Sequence, residues 1–340
     1  MILNSAPDAA ASPKVVGQGA FRFRVETGWP RLTEGLSWRE VPGVACDAQD
    51  RVHLFCRGET PVMVFEPDGT LAKAWGSGTF ARAHGLTIGP DGSRYYVDDL
   101  DHTVKKFDAG GDWVLTLGVS GKPSETGATS VDYRTIRQAG PPFHYPTNLA
   151  VGPDGDLFVA DGYGNARVHR FSADGALKLS WGEPGTGPGQ FHVPHGIAVD
   201  QRGRICVADR ENDRLQWFSP EGEVLEIWDE LARPSQMIFD AEGNVWVVEL
   251  GYLAGRWPGT GEAEPGATGG RVSVFDPGGR LLSRWGGGAE PEAPGDFFAP
   301  HDLALDSKGD LYVVEVAWSA GGRRGMVSPQ CHAVQKFIRL

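Results

Sequence analysis

Cysteine is scarce in this chain. Only Cys46, Cys56, Cys206 and Cys331 occur, and no two stand in a C-x-x-C spacing. A dense disulfide framework is excluded, and a reduced, cytoplasmic protein is expected. Basic residues are also in short supply: 32 Lys and Arg face 44 Asp and Glu, for a net charge of −12. Nucleic acid and anionic membrane surfaces are poor partners for such a chain. No apolar run approaches the roughly 20 residues that cross a bilayer. The N-terminus, MILNSAPDAAASPKVVGQGAF, lacks the basic start and apolar block of a secretory signal, and residues 1–20 read as a flexible tail.

Turn formers, by contrast, are plentiful. The 48 Gly and 24 Pro among 340 residues suit many tight turns, which favours an all-β protein over a helical one. Six segments share one grammar: VPGVACDAQDRVHLFC, AHGLTIGPDGSRYYVDD, PTNLAVGPDGDLFVADG, PHGIAVDQRGRICVADR, PSQMIFDAEGNVWVVEL and PHDLALDSKGDLYVVEV. Each is an alternating apolar run, a turn rich in Gly and Asp, and a second alternating run, which is the pattern of a β-hairpin. A third run follows most of them (TVKKFD, RVHRFS, RLQWFS, RVSVFD), then a fourth that closes on Trp-Gly (TLAKAWG, ALKLSWG, LLSRWGG).

Four short strands repeated six times, at about 40 residues or more per repeat, predict a six-bladed β-propeller over residues 21–340. The last repeat ends in HAVQKFIRL without a fourth strand, while FRFRVETGWP at 21–30 looks like a fourth strand with no blade before it. The N-terminal strand is therefore expected to complete the sixth blade and leave no sheet edge open.

The repeat alignment places Pro42, His84, Thr147, His195, Ser235 and His301 at one position, where each first strand begins. First strands line the channel of a propeller, so histidine on alternate blades puts three imidazoles about 120° apart around the axis. Three imidazoles and an open position make a metal site suited to zinc, iron, cobalt or manganese. Arg57 and Arg210 share the position just past the second strand in repeats one and four, and Tyr163 lies one residue further on in repeat three. All three should stand on the histidine rim, where guanidinium groups suit a small anionic substrate. Asp98, Asp161, Asp209, Glu249 and Glu315 recur at one position, which points to structural hydrogen bonding. Long irregular segments at 119–146, 250–270, 286–299 and 317–331 all fall on the same rim, marking it as the working face.

The motifs GVACD, CRGE, HGL, DGYGNAR, VPHGIAV, ADREN and PHDLAL resemble the peptidyl-α-hydroxyglycine α-amidating lyases, and more loosely the NHL-repeat propellers. The likeness spans about residues 42–340. It implies that His84, His195 and His301 bind zinc, that Tyr163 is the catalytic tyrosine and that Arg57 and Arg210 are active-site arginines. It also implies a structural calcium held by Asp302 with the backbone carbonyls of Val44 and Leu86. Three positions depart from the family pattern. Ala299 stands where a methionine is usual, Gly164 where a cysteine is usual, and Trp217 where Cys206 would find a disulfide partner.

The chemistry implied is cleavage of an N–C(OH) bond of the carbinolamide type, giving an amide or amine and a carbonyl product such as glyoxylate. The substrate is then a peptide or a small N-(hydroxyalkyl) amide. Two other readings fit the same residues: a metal hydrolase acting on an ester or lactone, and a non-catalytic NHL module that grips a protein.

Overall fold

The computed structural model describes residues 14–255 and 266–340, so positions 1–13 of the expected tail and 256–265 of the expected insertion lie outside the described residues. Six antiparallel sheets follow one another along the chain, five of four strands and one of five. Their innermost strands are Gly43–Cys46, Ala83–Ile88, Pro146–Val151, Pro194–Val199, Pro234–Phe239 and Pro300–Leu305. Each packs beside the next, and the last packs beside the first, so the ring is closed. The chain is an all-β, six-bladed propeller.

Closure uses the N-terminal segment as the sequence predicts. Phe21–Glu26 pairs antiparallel with Val334–Arg339 in the sixth blade, with Val25 opposite Phe337. One expectation needs correcting. Val15–Gln18, read as part of a loose tail, forms a fifth strand on Phe21–Glu26. Its anchor is Val16, which packs among Phe21, Trp246 and Trp285 between the fifth and sixth blades. Four residues that include a glycine are too few to show strand alternation in the sequence.

Each hairpin turn is stabilised in the same way. Asp47, Asp91, Asp154, Asp200, Asp240 and Asp306 each accept the backbone N–H two residues ahead, at 2.9–3.1 Å. An aspartate side chain that bonds its own turn is the physical reason for the recurring turn motif. Between blades the apolar faces of successive sheets form one buried cluster per interface. Trp217 and Trp246 are fully buried there. Burial of a large apolar side chain stabilises by about 1.5–3 kcal/mol, so these six interfaces hold the ring together.

The Trp-Gly ending of the fourth strand also has a steric cause. Gly182 sits at φ +100°, and a Cβ there would lie 2.6 Å from the Phe191 ring and 2.7 Å from the Ala166 carbonyl. The recurring acids act as structural ties. Asp98 accepts from the N–H groups of Ala81 and Arg82, Asp161 from His144, Asp209 from His192, Glu249 from Ala232, and Glu315 from Phe298 and Ala299. Each pins the loop that enters its blade, which positions the residue beginning the innermost strand. Among the described residues, no helix is long and apolar enough to cross a membrane.

Candidate metal centre

His84, His195 and His301 converge on the channel axis as their register predicts. All three are buried, and one potential ligand atom from each lies within 4.8 Å of the others. Ring centroids are 4.6–4.9 Å apart. The blades without histidine supply the outer partners. His84 Nδ1 pairs with the Thr147 carbonyl at 2.5 Å, His195 Nδ1 with Ser235 at 2.7 Å and His301 Nδ1 with Pro42 at 2.8 Å. Those acceptors are the equivalent residues of the following blades. Because a carbonyl only accepts, each Nδ1 carries the proton and each Nε2 presents a lone pair inward.

The electrostatics keep all three rings neutral. Burial drives the His84 pKa well below the ordinary value, with His301, His195 and Arg57 acting in the same direction. Burial followed by Arg210 does so for His195, and burial followed by Arg57 takes His301 down to about 3. His84 Nε2 and His195 Nε2 both lie 3.0 Å from the Tyr163 hydroxyl, while His301 Nε2 has no hydrogen-bond partner. One phenolic proton cannot satisfy three inward lone pairs. A buried set of this kind fits a divalent transition-metal ion.

The residue after each histidine explains an irregularity of the sequence. A Cβ at Gly85 would lie 2.7 Å from Asn148 Oδ1 and the Thr147 carbonyl, and one at Gly196 would lie 2.5 Å from Gln236 Oε1 and the Ser235 carbonyl. Asp302 takes the third such place, and its side chain reaches the backbone of blade one at Val44. The Asp302 carboxylate is buried and accepts from Val44 N–H at 3.1 Å and Leu303 N–H at 2.8 Å. Burial pushes its pKa up to about 8. Val44 and Leu86 are buried on the innermost strands of blades one and two.

Tyr163, Arg57 and Arg210 all reach the histidine rim. With His301 they line one cavity of about 570 Å³. Arg210 Nη1 lies 3.4 Å from the Tyr163 hydroxyl, and its guanidinium sits 5.4 Å from the ring centre. Glu211 Oε1 accepts from Arg210 Nε at 2.9 Å and from Arg233 Nη2 at 2.8 Å. Arg57 donates to Glu40 Oε1 at 2.8 Å and to the Ala83 carbonyl at 3.0 Å. Glu40 Oε2 in turn accepts from Ser319 N–H, so it ties Arg57 to the short helix Ala317–Ala320 on the rim. Three of the long segments contribute to the cavity, through Val131, Leu250, Ala254 and Ala320 among others.

Sequence reasoning missed Arg82 and Arg233, which line the same cavity. Both stand two residues before the metal-register position, as does Glu40, so extending the repeat alignment upstream would have found them. Arg323 and Arg324, also in the wall, belong to the 317–331 insertion and carry no repeat signal. Ala299 occupies the same upstream position and is packed with Leu250, Phe298, Val316, Ala317 and Val327. All four cysteines are free, and Cys206 faces Trp217 across paired strands.

Comparison with known proteins agrees with the propeller fold. The NHL repeat family model matches residues 143–171 and 191–218. NHL repeat-containing protein 3 of Mus musculus is 32% identical over 241 residues, covering 66% of this chain and 66% of its own length. Peptidyl-glycine alpha-amidating monooxygenase A of Xenopus laevis is 30% identical over 325 residues, covering 85% of this chain and 32% of its own length. Peptidyl-alpha-hydroxyglycine alpha-amidating lyase 1 of Drosophila melanogaster is 36% identical over 173 residues, covering 47% of this chain and 29% of its own length. The chain thus spans about a third of the frog and fly relatives and about two thirds of the mouse one. It is an NHL-repeat propeller, with homologues among the peptidyl-α-hydroxyglycine α-amidating lyases.

Proposed function

We propose that this protein is a metal-dependent carbon–nitrogen lyase. Its reaction splits the N–C(OH) bond of an α-hydroxyglycine-type carbinolamide into an amide or amine and a carbonyl product such as glyoxylate. The observation that carries this reading is the convergence of three buried, neutral imidazoles, two of whose Nε2 atoms lie 3.0 Å from the Tyr163 hydroxyl beside Arg210. His84, His195 and His301 would hold the metal, which we assign as zinc. A bound divalent ion supplies Lewis acidity toward the substrate hydroxyl. Asp302, with the carbonyls of Val44 and Leu86, would hold a structural calcium. A buried carboxylate whose partners are two backbone N–H groups is suited to a cation.

The residues of the chain then divide the work. Arg57 and Arg210 hold the substrate carboxylate beside the reacting carbon and set which face meets the histidines. Tyr163 takes the proton of the substrate hydroxyl. Its hydroxyl lies 3.4 Å from the Arg210 guanidinium. As the electron pair left on oxygen by the lost proton forms the carbonyl π bond, the C–N bond breaks. The nitrogen leaves with that bonding pair and collects the proton that Tyr163 removed. Atoms balance without water, which separates this reaction from hydrolysis. The substrate is small and anionic or peptide-like, in keeping with a cavity walled by apolar and guanidinium groups.

Metal analysis and product analysis together test the reading. Purified protein should carry about one tightly bound transition-metal ion per chain, lost in His195→Ala together with turnover. Arg57→Ala should keep the metal and chiefly weaken substrate use. A metal-free native protein would favour a non-catalytic binding module. Solvent oxygen found in an acid product, with carbonyl exchange controlled for, would establish a hydrolase instead.

A further inference from the structure

The wall of the cavity carries more positive charge than one substrate carboxylate requires. Arg57, Arg82, Arg210, Arg233, Arg323 and Arg324 all line it. Three carboxylates pair with this set from behind: Glu40 with Arg57, Asp99 with Arg82, and Glu211 with both Arg210 and Arg233. No carboxylate is among the described residues that line the cavity itself. This concentration of guanidinium sits in a protein of net charge −12, so it is a local feature rather than a reflection of composition.

The arginines fall into two groups. Arg210 lies at the Tyr163 end, against the metal-register histidines. Arg82 and Arg323 share a wall with Arg57. Arg57 donates to the carbonyl of Ala83, the neighbour of Arg82, and both Arg57 and Arg323 lie 3.4 Å from oxygen atoms of Ser319. The same three arginines also line a second, adjoining cavity of about 450 Å³, together with Arg39, Trp318 and the carboxylates Glu40 and Glu59.

We infer that Arg82 and Arg323 form a second anion subsite, and that the preferred substrate bears a second carboxylate on the acyl side of the scissile bond. This deepens the lyase reading and rests on it for the identity of the reaction. Asp99 holds Arg82 in place through two 2.7 Å hydrogen bonds, and the Arg82 side chain, 30% exposed, lines the cavity. Arg323 is exposed on the rim. A carboxylate spanning them forms charge-assisted hydrogen bonds that a neutral acyl group cannot.

The test compares N-succinyl-α-hydroxyglycine with N-butyryl-α-hydroxyglycine, which have acyl chains of similar length. The metal-loaded wild type should prefer the succinyl compound by about five- to tenfold in kcat/KM at low salt, and the preference should shrink as ionic strength rises. Arg323→Glu should abolish or invert the preference. A paired change, R82Q with D99N, should reduce it without leaving a buried carboxylate unpartnered. Equal use of both substrates by wild type, or a preference that survives both variants, overturns the subsite. Thermal protection by glutarate relative to butyrate, measured on the same proteins, gives a readout independent of turnover. Glutarate protection that is lost in R323E, with neither substrate consumed, would retain the subsite and reject the lyase reading. Without turnover, equal protection by the two acids would reject both.

Discussion

His84 and Thr147 occupy equivalent positions in neighbouring blades, and the imidazole Nδ1 of the first meets the carbonyl of the second at 2.5 Å. The same relationship joins His195 to Ser235 and His301 to Pro42. Alternate blades therefore provide ligands, and the blades between them orient those ligands. A backbone acceptor cannot be removed by a side-chain substitution, so the tautomer of each histidine is set by the ring architecture itself.

That proximity has a steric consequence at Gly196. Its backbone is not in the left-handed region, yet a Cβ would lie 2.5 Å from the Ser235 carbonyl. Gly196→Ala should destabilise the fold by about 1–3 kcal/mol, as overpacking does. It should also weaken metal binding, because the carbonyl that must move is the one that orients His195. Equal melting temperatures and equal metal affinities for variant and wild type would show that the two strands are not this close.

Tyr163 makes a contrasting prediction. Its hydroxyl is bonded to His84 and His195 but forms no part of the strand pairing. Tyr163→Phe should keep the metal and the fold while lowering turnover by about 10²–10⁴-fold, the usual contribution of a positioned proton acceptor. Retained turnover with the metal in place would remove Tyr163 from the reaction.

A pH-dependent contribution to stability is expected from His332, away from the histidine cluster. Its Nε2 lies 3.1 Å from both Glu315 Oε1 and the Asp296 carbonyl. Burial alone would lower its pKa, but the hydrogen bonds to Cys331 and Glu315 outweigh burial and raise it from 6.5 to about 10. A folded-state value above the unfolded one means that the stabilisation is complete below about pH 6.5 and fades as pH rises through 10. His332→Gln should therefore cost about 1.5–3 kcal/mol at pH 6, in line with a hydrogen bond to a charged group. The gap from wild type should narrow steadily toward pH 10. A gap that does not change across this range would place a neutral imidazole there.

The repeat grammar carried most of the architecture. Hairpins, Asp-bearing turns and Trp-Gly endings are local devices, each written within a few consecutive residues, so they are visible without any knowledge of distant contacts. The strand at Val15–Gln18 was not visible, because its one buried anchor, Val16, finds its partners in the fifth and sixth blades. Arg82 and Arg233 were overlooked for a different reason. Their register was legible two residues before the metal position, but arginine in a loop is ordinarily a solvated side chain. Only its placement in the cavity wall distinguishes it.

By itself, then, the sequence determined a six-fold ring and the alternation of histidine around it, since a repeat places equivalent residues at equal heights whatever the details of packing. Tertiary structure alone decided which imidazole nitrogen faces inward, that the Asp302 carboxylate meets the Val44 N–H of blade one, and that six guanidinium groups share one cavity. These depend on separations of a few ångströms between residues up to 259 positions apart, and no local pattern encodes such distances.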